Sequence, residues 1–405
     1  MDPIVIVGNG VAAVSAVEAF REHDKNTRII IVSAEPYHAY YRMRLSHLLG
    51  EDPEVEKLLI HDPVWYEENG IQVLLGRRAV SIDVVSKSLK LDDGKVLTFS
   101  KLLLAQGSDP FVPPVSGTDL DGVFPVRTVD DVKKLYTYSL DKNSGVVVGG
   151  GVLGLEAAWA LTKKGKKISV FEVAPYLLIK QLDEESSGML KSLGEKAGMS
   201  FILSDQLVEI KGNGSVSGVS SKSGREVEAD FVVFSIGVRP NTGILKDIGI
   251  NVNRGVVVDE HMHTSLKDIY AAGDVAEFAG KVYGIWPVAK EQGKIAGLNM
   301  AGISASYSEI VPSNYIKVFD TEIFSAGDLC KEESAHAVIT DIQPENNIYR
   351  KVFFKKNNVP VGVILLGDTK PAVKISRAIK IGRDIPEDII RSNNFERFVQ
   401  QLDYN

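Results

Sequence analysis

Short β-branched runs end in glycine at several places along this chain, and each opens a segment with the apolar period of a helix. Val146, Val147 and Val148 lead into Gly149, Gly151 and Gly154, followed by Leu155, Ala157, Ala158 and Leu161. Such a pattern predicts strand, turn and helix, with Gly165 ending the helix and Ile168 to Phe171 forming the next strand. Ile4 to Val7 lead in the same way into Gly8, Gly10 and Ala13, an apolar helix to about Phe20, and a strand from Arg28 to Ser33. Leu102 to Ala105 and Phe231 to Ile236 read as buried strands running into Gly107 and Gly237. From Ile71 to Leu97 the pattern alternates with period two around a turn at Asp93 and Gly94. Beyond Gly302, NYIKVF, YRKVFFKK and VGVILLG predict a β-meander, with helical sequence from about Pro371 to the end.

The glycines carry the first chemistry. At G-x-G-x-x-G/A spacing the first permits a tight turn, the second admits a pyrophosphate to the backbone, and the third lets helix and strand pack closely. The free N–H groups of the helix then face the phosphates. Glu35 and Glu172 stand at the tips of the following strands, where a carboxylate accepts hydrogen bonds from ribose hydroxyls. Two fingerprints imply two nucleotide-containing ligands, and spacing by itself does not say which ligand takes which site. After Glu172 no Arg or Lys occurs until Lys180, so a 2′-phosphate would meet negative charge and NADH is expected over NADPH.

Composition narrows the classes. The chain has 405 residues, 44% hydrophobic and 24% charged, which implies two or three soluble domains. A net charge of −7 argues against nucleic acid or acidic membrane as general partners. No run reaches the length of a membrane span, and the first strand begins at Ile4 with no room for an export signal, so a cytoplasmic location is expected. Cys330 is the only cysteine, which leaves no internal disulfide, no CxxC and no cysteine-held metal. His261 and His263 share a strand face but lack a further ligand nearby, and a solvated hairpin is expected there with no metal site. In PYHAYYRMRLSHLL, after Glu35, Arg42 is placed to touch phosphate. Lys370, Lys374, Arg377, Lys380 and Arg383 recur three or four apart, as a solvated helix face would, with docking of an acidic protein the competing reading.

Six segments in order, GNGVAA, AQGS, GGGVLGLE, GVRPN, AAGD and WPVAKEQG, together resemble the two-dinucleotide flavoprotein family that includes glutathione reductase and the rubredoxin and ferredoxin reductases. The likeness spans nearly the whole chain. It implies an α/β protein with two Rossmann-like dinucleotide-binding domains of the three-layer ββα type and a small α+β C-terminal domain. The FAD domain would be split over 1–112 and 242–309, the NAD domain inserted at 113–241, and an interface domain placed at 310–405. By the same resemblance Gly8, Gly10, Val11, Ala12, Ala13, Glu35, Arg42, Val80, Ala105, Gly107, Arg127, Gly273, Asp274, Trp286, Pro287 and Val288 bind FAD. Gly149, Gly151, Val152, Leu153, Gly154, Glu172 and Gly237 bind NADH.

PYHAYYRMRLSHLL and the C-terminal SNYIKVF with VGVILLGD resemble in particular NADH:rubredoxin reductases and the flavin portion of nitrite reductases. That likeness implies catalytic roles for Glu156, at the nicotinamide and flavin N5, for Lys317, beside the flavin, and for His47, whose pairing with Glu156 stays open. Gln106 departs from a usual Thr, and His47 from a frequent Lys. Family members with a redox thiol carry it in the segment after the first fingerprint, and this chain has none there. Electrons are therefore expected to pass from NADH through the flavin to a small acidic iron carrier, rubredoxin or ferredoxin. A flavin module of a larger assembly, a direct NADH oxidase and a redox sensor are the alternatives. The protein is expected to be a monomer or homodimer.

Overall fold

The computed structural model describes residues 2–50, 54–329 and 335–403, without the side chains of residues 47 and 50. Cys330 and its expected thiol environment lie outside the described residues. Ile4–Val7 is completely buried and pairs in parallel with Ile29–Val32 on one side and Lys101–Leu104 on the other. Runs apolar on both faces suit the middle of a sheet covered on both sides. Ile71–Leu74 and Ile269–Ala271 form the outer strands. The last of these arrives from the far side of an inserted unit, since a second parallel five-stranded sheet, centred on Ser144–Val148, is built from residues between them.

The two chain crossings between the sheets, Ser108–Pro110 and Val238–Pro240, pair with each other as an antiparallel ribbon. Helix α1 (Val11–His23) follows the first glycine turn and helix α2 (Val152–Lys163) the second. Helix α3 (Trp286–Met300) lies across α1 at very close range, because a Cβ on Gly293 or Gly297 would fall about 2 Å from the Ala12 or Ala16 carbonyl oxygen. Short antiparallel strands are expected over the alternating stretch, and Ala79–Asp83, Ser88–Leu91 and Val96–Thr98 form them with Gly94 at the turn, whereas Ile71–Leu74 instead pairs in parallel with Ile29–Val32.

The C-terminal sheet corrects one expectation. A meander would run in chain order, yet the order is Ser313–Val318, Thr321–Gly327, Pro360–Leu366, Ile348–Phe354 and Ala337–Gln343. Pro360–Leu366 is buried nearly throughout and takes the centre, while the mostly half-buried Ala337–Gln343 takes an edge. One face of this sheet packs through Ile316, Val318, Tyr349 and Phe353 onto the core that includes Leu155 and Ala158 of α2. The other is covered by helix α4 (Ala372–Ile381) and two shorter helices, through Ile375, Phe395 and Phe398. Asp183 ties the sheet to the inserted unit by accepting from the Tyr349 hydroxyl at 2.6 Å and Lys351 at 2.9 Å. Among the described residues no helix is long and apolar enough to cross a membrane.

Candidate active site

The glycine turns are built as their spacing predicts. Gly8 has φ +102° and Gly149 φ +116°, and a Cβ at either would overlap a facing backbone carbonyl, of Ala105 or Ser235. At Gly154 a Cβ would fall 2.1 Å from the Gly149 carbonyl oxygen, so the third glycine closes the turn on itself. Gly10 and Gly151 differ: no atom lies within 4 Å of the added carbon. These are also the N-caps of α1 and α2, and neither helix start is capped by a side chain. Two uncapped helix N-termini therefore open onto free space, as a bound pyrophosphate needs. Beside the first, Asn9 Oδ1 and Gln106 Oε1 are buried without a hydrogen-bond partner. Buried acceptors are normally satisfied, and a dinucleotide seated there would satisfy them. Val11, Ala12 and Ala13 form the first turn of α1, Val152 and Leu153 that of α2.

The carboxylates at the strand tips are already engaged. Glu35 accepts from Arg42 at 2.6 Å and from the Tyr40 hydroxyl at 2.6 Å. Glu172 accepts from the Gly150 N–H at 2.6 Å and the Ala174 N–H at 2.8 Å, bracing its own glycine turn. Each oxygen has a second lone pair for a ribose hydroxyl. Arg42 also donates to the Arg127 carbonyl, so it spans the first cleft between the Glu35 end and the Asp274 end. There Arg127 donates to Asp274 at 2.7 Å and to the Ser108 hydroxyl at 2.9 Å, while Ser108 donates to Asp274 at 3.0 Å. Gly273 gives its N–H to Gln292 Oε1, which is buried on α3. Gly107 accepts from the Asn241 N–H and Gly237 from the Phe111 N–H, locking the crossing ribbon. Trp286, Pro287 and Val288 make the first turn of α3, again without a side-chain cap, and Trp286 stacks on Tyr41 at 5.3 Å. Val80 is the bulged residue between Ala79 and Ser81, which leaves its backbone out of the ladder and its side chain exposed.

Arg127 and Asp274 form a well-shielded pair across three chain segments. Removing one partner of such a pair typically costs about 3 kcal/mol, because the other charge is left without compensation. Arg127→Ala is expected to lose flavin in gel filtration, and Arg127→Ala/Asp274→Asn to retain more of it than the single variant. Equal loss in both would show that the pair itself is unimportant.

Glu156, on the second turn of α2, is half-buried and accepts from the Ser46 hydroxyl at 2.8 Å. Ser46 is buried, at 1% exposure, in the 3₁₀ segment Arg42–Gly50. Burial pushes the Glu156 carboxyl up to about 7 from 4.5, against the smaller lowering by Ser46. Between those pH values the folded carboxyl keeps a proton that the unfolded one loses. Above about 7 both forms are charged and the folded protein bears the full burial penalty. Glu156→Gln should therefore raise the melting temperature at pH 9 and leave it unchanged at pH 4; no gain at pH 9 would contradict a buried, charged Glu156.

Of the other expected catalytic residues, Lys317 is not joined to Glu156. Lys317 is exposed and pairs across the ladder with Glu322. Strand alternation turns it away from Ile316 and Val318, which pack toward α2, and onto the opposite face of the C-terminal sheet. His47 follows Ser46, with its side chain outside the described residues. His263 sits beside Asp259 at 3.2 Å, and His261 Nδ1 lies 2.8 Å from the Ala305 carbonyl oxygen. Among the described residues no group of three or more His, Cys, Asp or Glu could hold a metal. Ser46, Ser108, Tyr40 and Gln292 are missing from the sequence reading. Only Gln292 had a usable signal, its place in WPVAKEQG, because the partners of Ser46 and Ser108 come from far along the chain, and Tyr40 is one of three tyrosines in its segment.

Residues 2–293 match the family described as pyridine nucleotide-disulphide oxidoreductase, and residues 312–383 match the rubredoxin NAD+ reductase C-terminal domain. The chain is 37% identical over 386 residues to a nitrite reductase [NAD(P)H] of Bacillus subtilis, covering 95% of this chain and 48% of that protein. It thus spans about half the length of that relative. It is 33% identical to the NADH-rubredoxin oxidoreductase of Clostridium acetobutylicum, covering 93% of this chain and 94% of that one. The crystal structure of a ferredoxin reductase from Rhodopseudomonas palustris superposes with a TM-score of 0.90 at 23% identity, over 99% of each chain, a likeness of fold.

Proposed function

Because the chain belongs to the pyridine nucleotide-disulphide oxidoreductase family, we propose that it is an NADH-dependent flavoprotein reductase of a small acidic iron–sulfur carrier, of the rubredoxin or ferredoxin kind. The observation that carries this reading is the pair of open, uncapped helix starts at Gly10 and Gly151, together with a segment from Pro36 to Leu49 that contains no thiol. FAD, held by the unit at 1–112 and 242–309, supplies the conversion of a two-electron hydride into single electrons. NADH is held by the unit at 113–241.

The chain's own residues bind and orient. Gly10 and Gly151 admit phosphates to the N–H groups of α1 and α2, and Arg42 adds positive charge along the first cleft. Arg127, Ser108 and Asp274 fix the far end of that cleft, and Glu35 and Glu172 select the ribose hydroxyls. Ser46 holds Glu156 at the junction of the two units, where donor and acceptor rings must meet. With no thiol in that segment to receive electrons, they leave from the flavin itself.

The carrier's docking face is assigned to α4. Lys374, Arg377 and Lys380 are exposed on it and Lys370 just before it, beside Val373 at 81% and Ile381 at 62% exposure. Arg383, counted in the same stripe from sequence, instead donates to the carbonyls of Gln401 and Leu402. Cations around exposed apolar side chains suit an acidic protein that releases water as it docks. A second reading, a flavin module of a larger assembly, is favoured by the length of the Bacillus subtilis relative, of which this chain covers only 48%.

Anaerobic stopped-flow mixing tests the proposal. NADH should bleach the flavin within a turnover, and rubredoxin or ferredoxin should reoxidise it faster than oxygen does. A flavin that NADH leaves oxidised would end the reading; reoxidation only by oxygen would replace it with an oxidase.

A further inference from the structure

We propose that Ser46 is a positioning residue: its hydroxyl holds the Glu156 carboxylate toward the nicotinamide position and sets the pH at which that carboxylate becomes charged. The inference rests on the reading above for the identity of the cleft, but not for its own test. Ser46 and Glu156 lie 110 residues apart and meet at 2.8 Å, one from the segment after the first cleft and one from the helix that opens the second. Arg42–Gly50 packs along α2, with Leu45, Leu48 and Leu49 buried in the same core as Leu155 and Ala158. Ser46 is thereby fixed by its apolar neighbours, and its hydroxyl donates to the carboxylate.

No cation neutralises Glu156 among the described residues. Of the charged groups on the elements packed against α2, Arg42 is committed to Glu35, and Arg44 lies over the Tyr41 ring. On the strand Lys167–Glu172, Glu172 is bound to its own turn and Lys167 is exposed at the opposite end. Lys317 is turned to the outer face, as is Tyr315. His47 follows Ser46 in sequence, with its side chain outside the described residues. Among the described residues one neutral hydroxyl serves this half-buried carboxyl, and burial pushes its pKa up to about 7, where a cation-paired carboxylate would be held down.

The charge has a definite effect on the ligand. Loss of hydride turns a neutral dihydronicotinamide ring into a cation, so an ionised carboxylate beside the ring favours the oxidised nucleotide. A neutral carboxyl favours neither form. NAD+ should therefore bind more tightly above the Glu156 midpoint than below it, on the order of tenfold, whereas NADH should not. Ser46 lowers that midpoint by donating to the charged form.

The test uses flavin-loaded protein and pH-dependent infrared difference spectra of the carboxylic acid C=O stretch, with Glu156→Gln identifying the band. Wild type should titrate near neutrality. Ser46→Ala should move the midpoint up by about one pH unit, the value of a hydrogen bond to a charged group, and Ser46→Thr should restore it. The pH inflection in the NAD+ dissociation constant should move with the band. An unchanged midpoint in Ser46→Ala overturns the proposal, as does His47→Asn shifting it as far as Ser46→Ala does. If NADH fails to reduce the flavin while the band behaves as expected, the functional reading falls and the role of Ser46 in setting this charge stands.

Discussion

Gly151→Asp is expected to abolish reduction by NADH while leaving a folded, yellow protein that dithionite still bleaches. The reasoning begins with space, since a Cβ at Gly151 meets nothing within 4 Å. The backbone there is extended, at φ −82°, which any residue adopts. The protein therefore tolerates the side chain, but the carboxylate then occupies the free space at the start of α2, where a pyrophosphate would carry like charge. A hundredfold or greater rise in the KM for NADH is expected, equal to about 2.7 kcal/mol or more, with flavin content unchanged. Gly149→Ala provides the contrast. Its Cβ would fall 2.3 Å from the Ser235 carbonyl oxygen, at φ +116°, so this variant should damage the inserted unit itself and appear as lost soluble protein. Steady-state kinetics and flavin absorbance on both variants decide the matter. Normal NADH kinetics in Gly151→Asp would show that the second cleft is not the nucleotide site.

Reversing the α4 charges is expected to have the second largest effect. Arg377 and Lys380 carry no ion pair among the described residues, while Lys374 is already paired with Asp403 at 2.5 Å, so the first two are the informative positions. Arg377→Glu/Lys380→Glu changes the local charge by four on a face flanked by exposed Val373 and Ile381. Electrostatic steering of an acidic partner typically changes association rates by ten- to a thousandfold at low salt. The rate constant for reducing an acidic rubredoxin should fall at least tenfold at low ionic strength, and its salt dependence should flatten. Reduction of a neutral small oxidant such as benzoquinone should be unaffected, because it needs no docking face. Equal rates for wild type and variant with the carrier would return α4 to an ordinary solvated helix and leave the NADH reaction untouched.

The glycine turns, strand cores and paired five-stranded sheets were legible because their cause is local. Gly8 and Gly149 are required by φ and by the carbonyl each faces, and Ile4–Val7 and the Val146 to Val148 end of Ser144–Val148 are apolar on both faces because both faces are covered. The C-terminal strand order was not legible. Apolar runs announce strands, but which run takes the centre depends on burial of both faces, and Pro360–Leu366 displaces its chain neighbours for that reason. The face that Lys317 takes was not legible either: one step of strand alternation turns it away from Ile316 and Val318.

By itself, then, the sequence determined two dinucleotide turns, the tip carboxylates Glu35 and Glu172, the lack of a redox thiol after the first turn, and the basic stripe on the last long helix. Each follows from residue type and spacing within one element. Only the tertiary structure decided that Ser46 meets Glu156, that Arg127 and Ser108 close on Asp274, and that Arg383 leaves the stripe to bind chain-end carbonyls. Those contacts join residues brought together by packing, and a hydroxyl or guanidinium in a sequence carries no mark of the distant partner that burial will make it need.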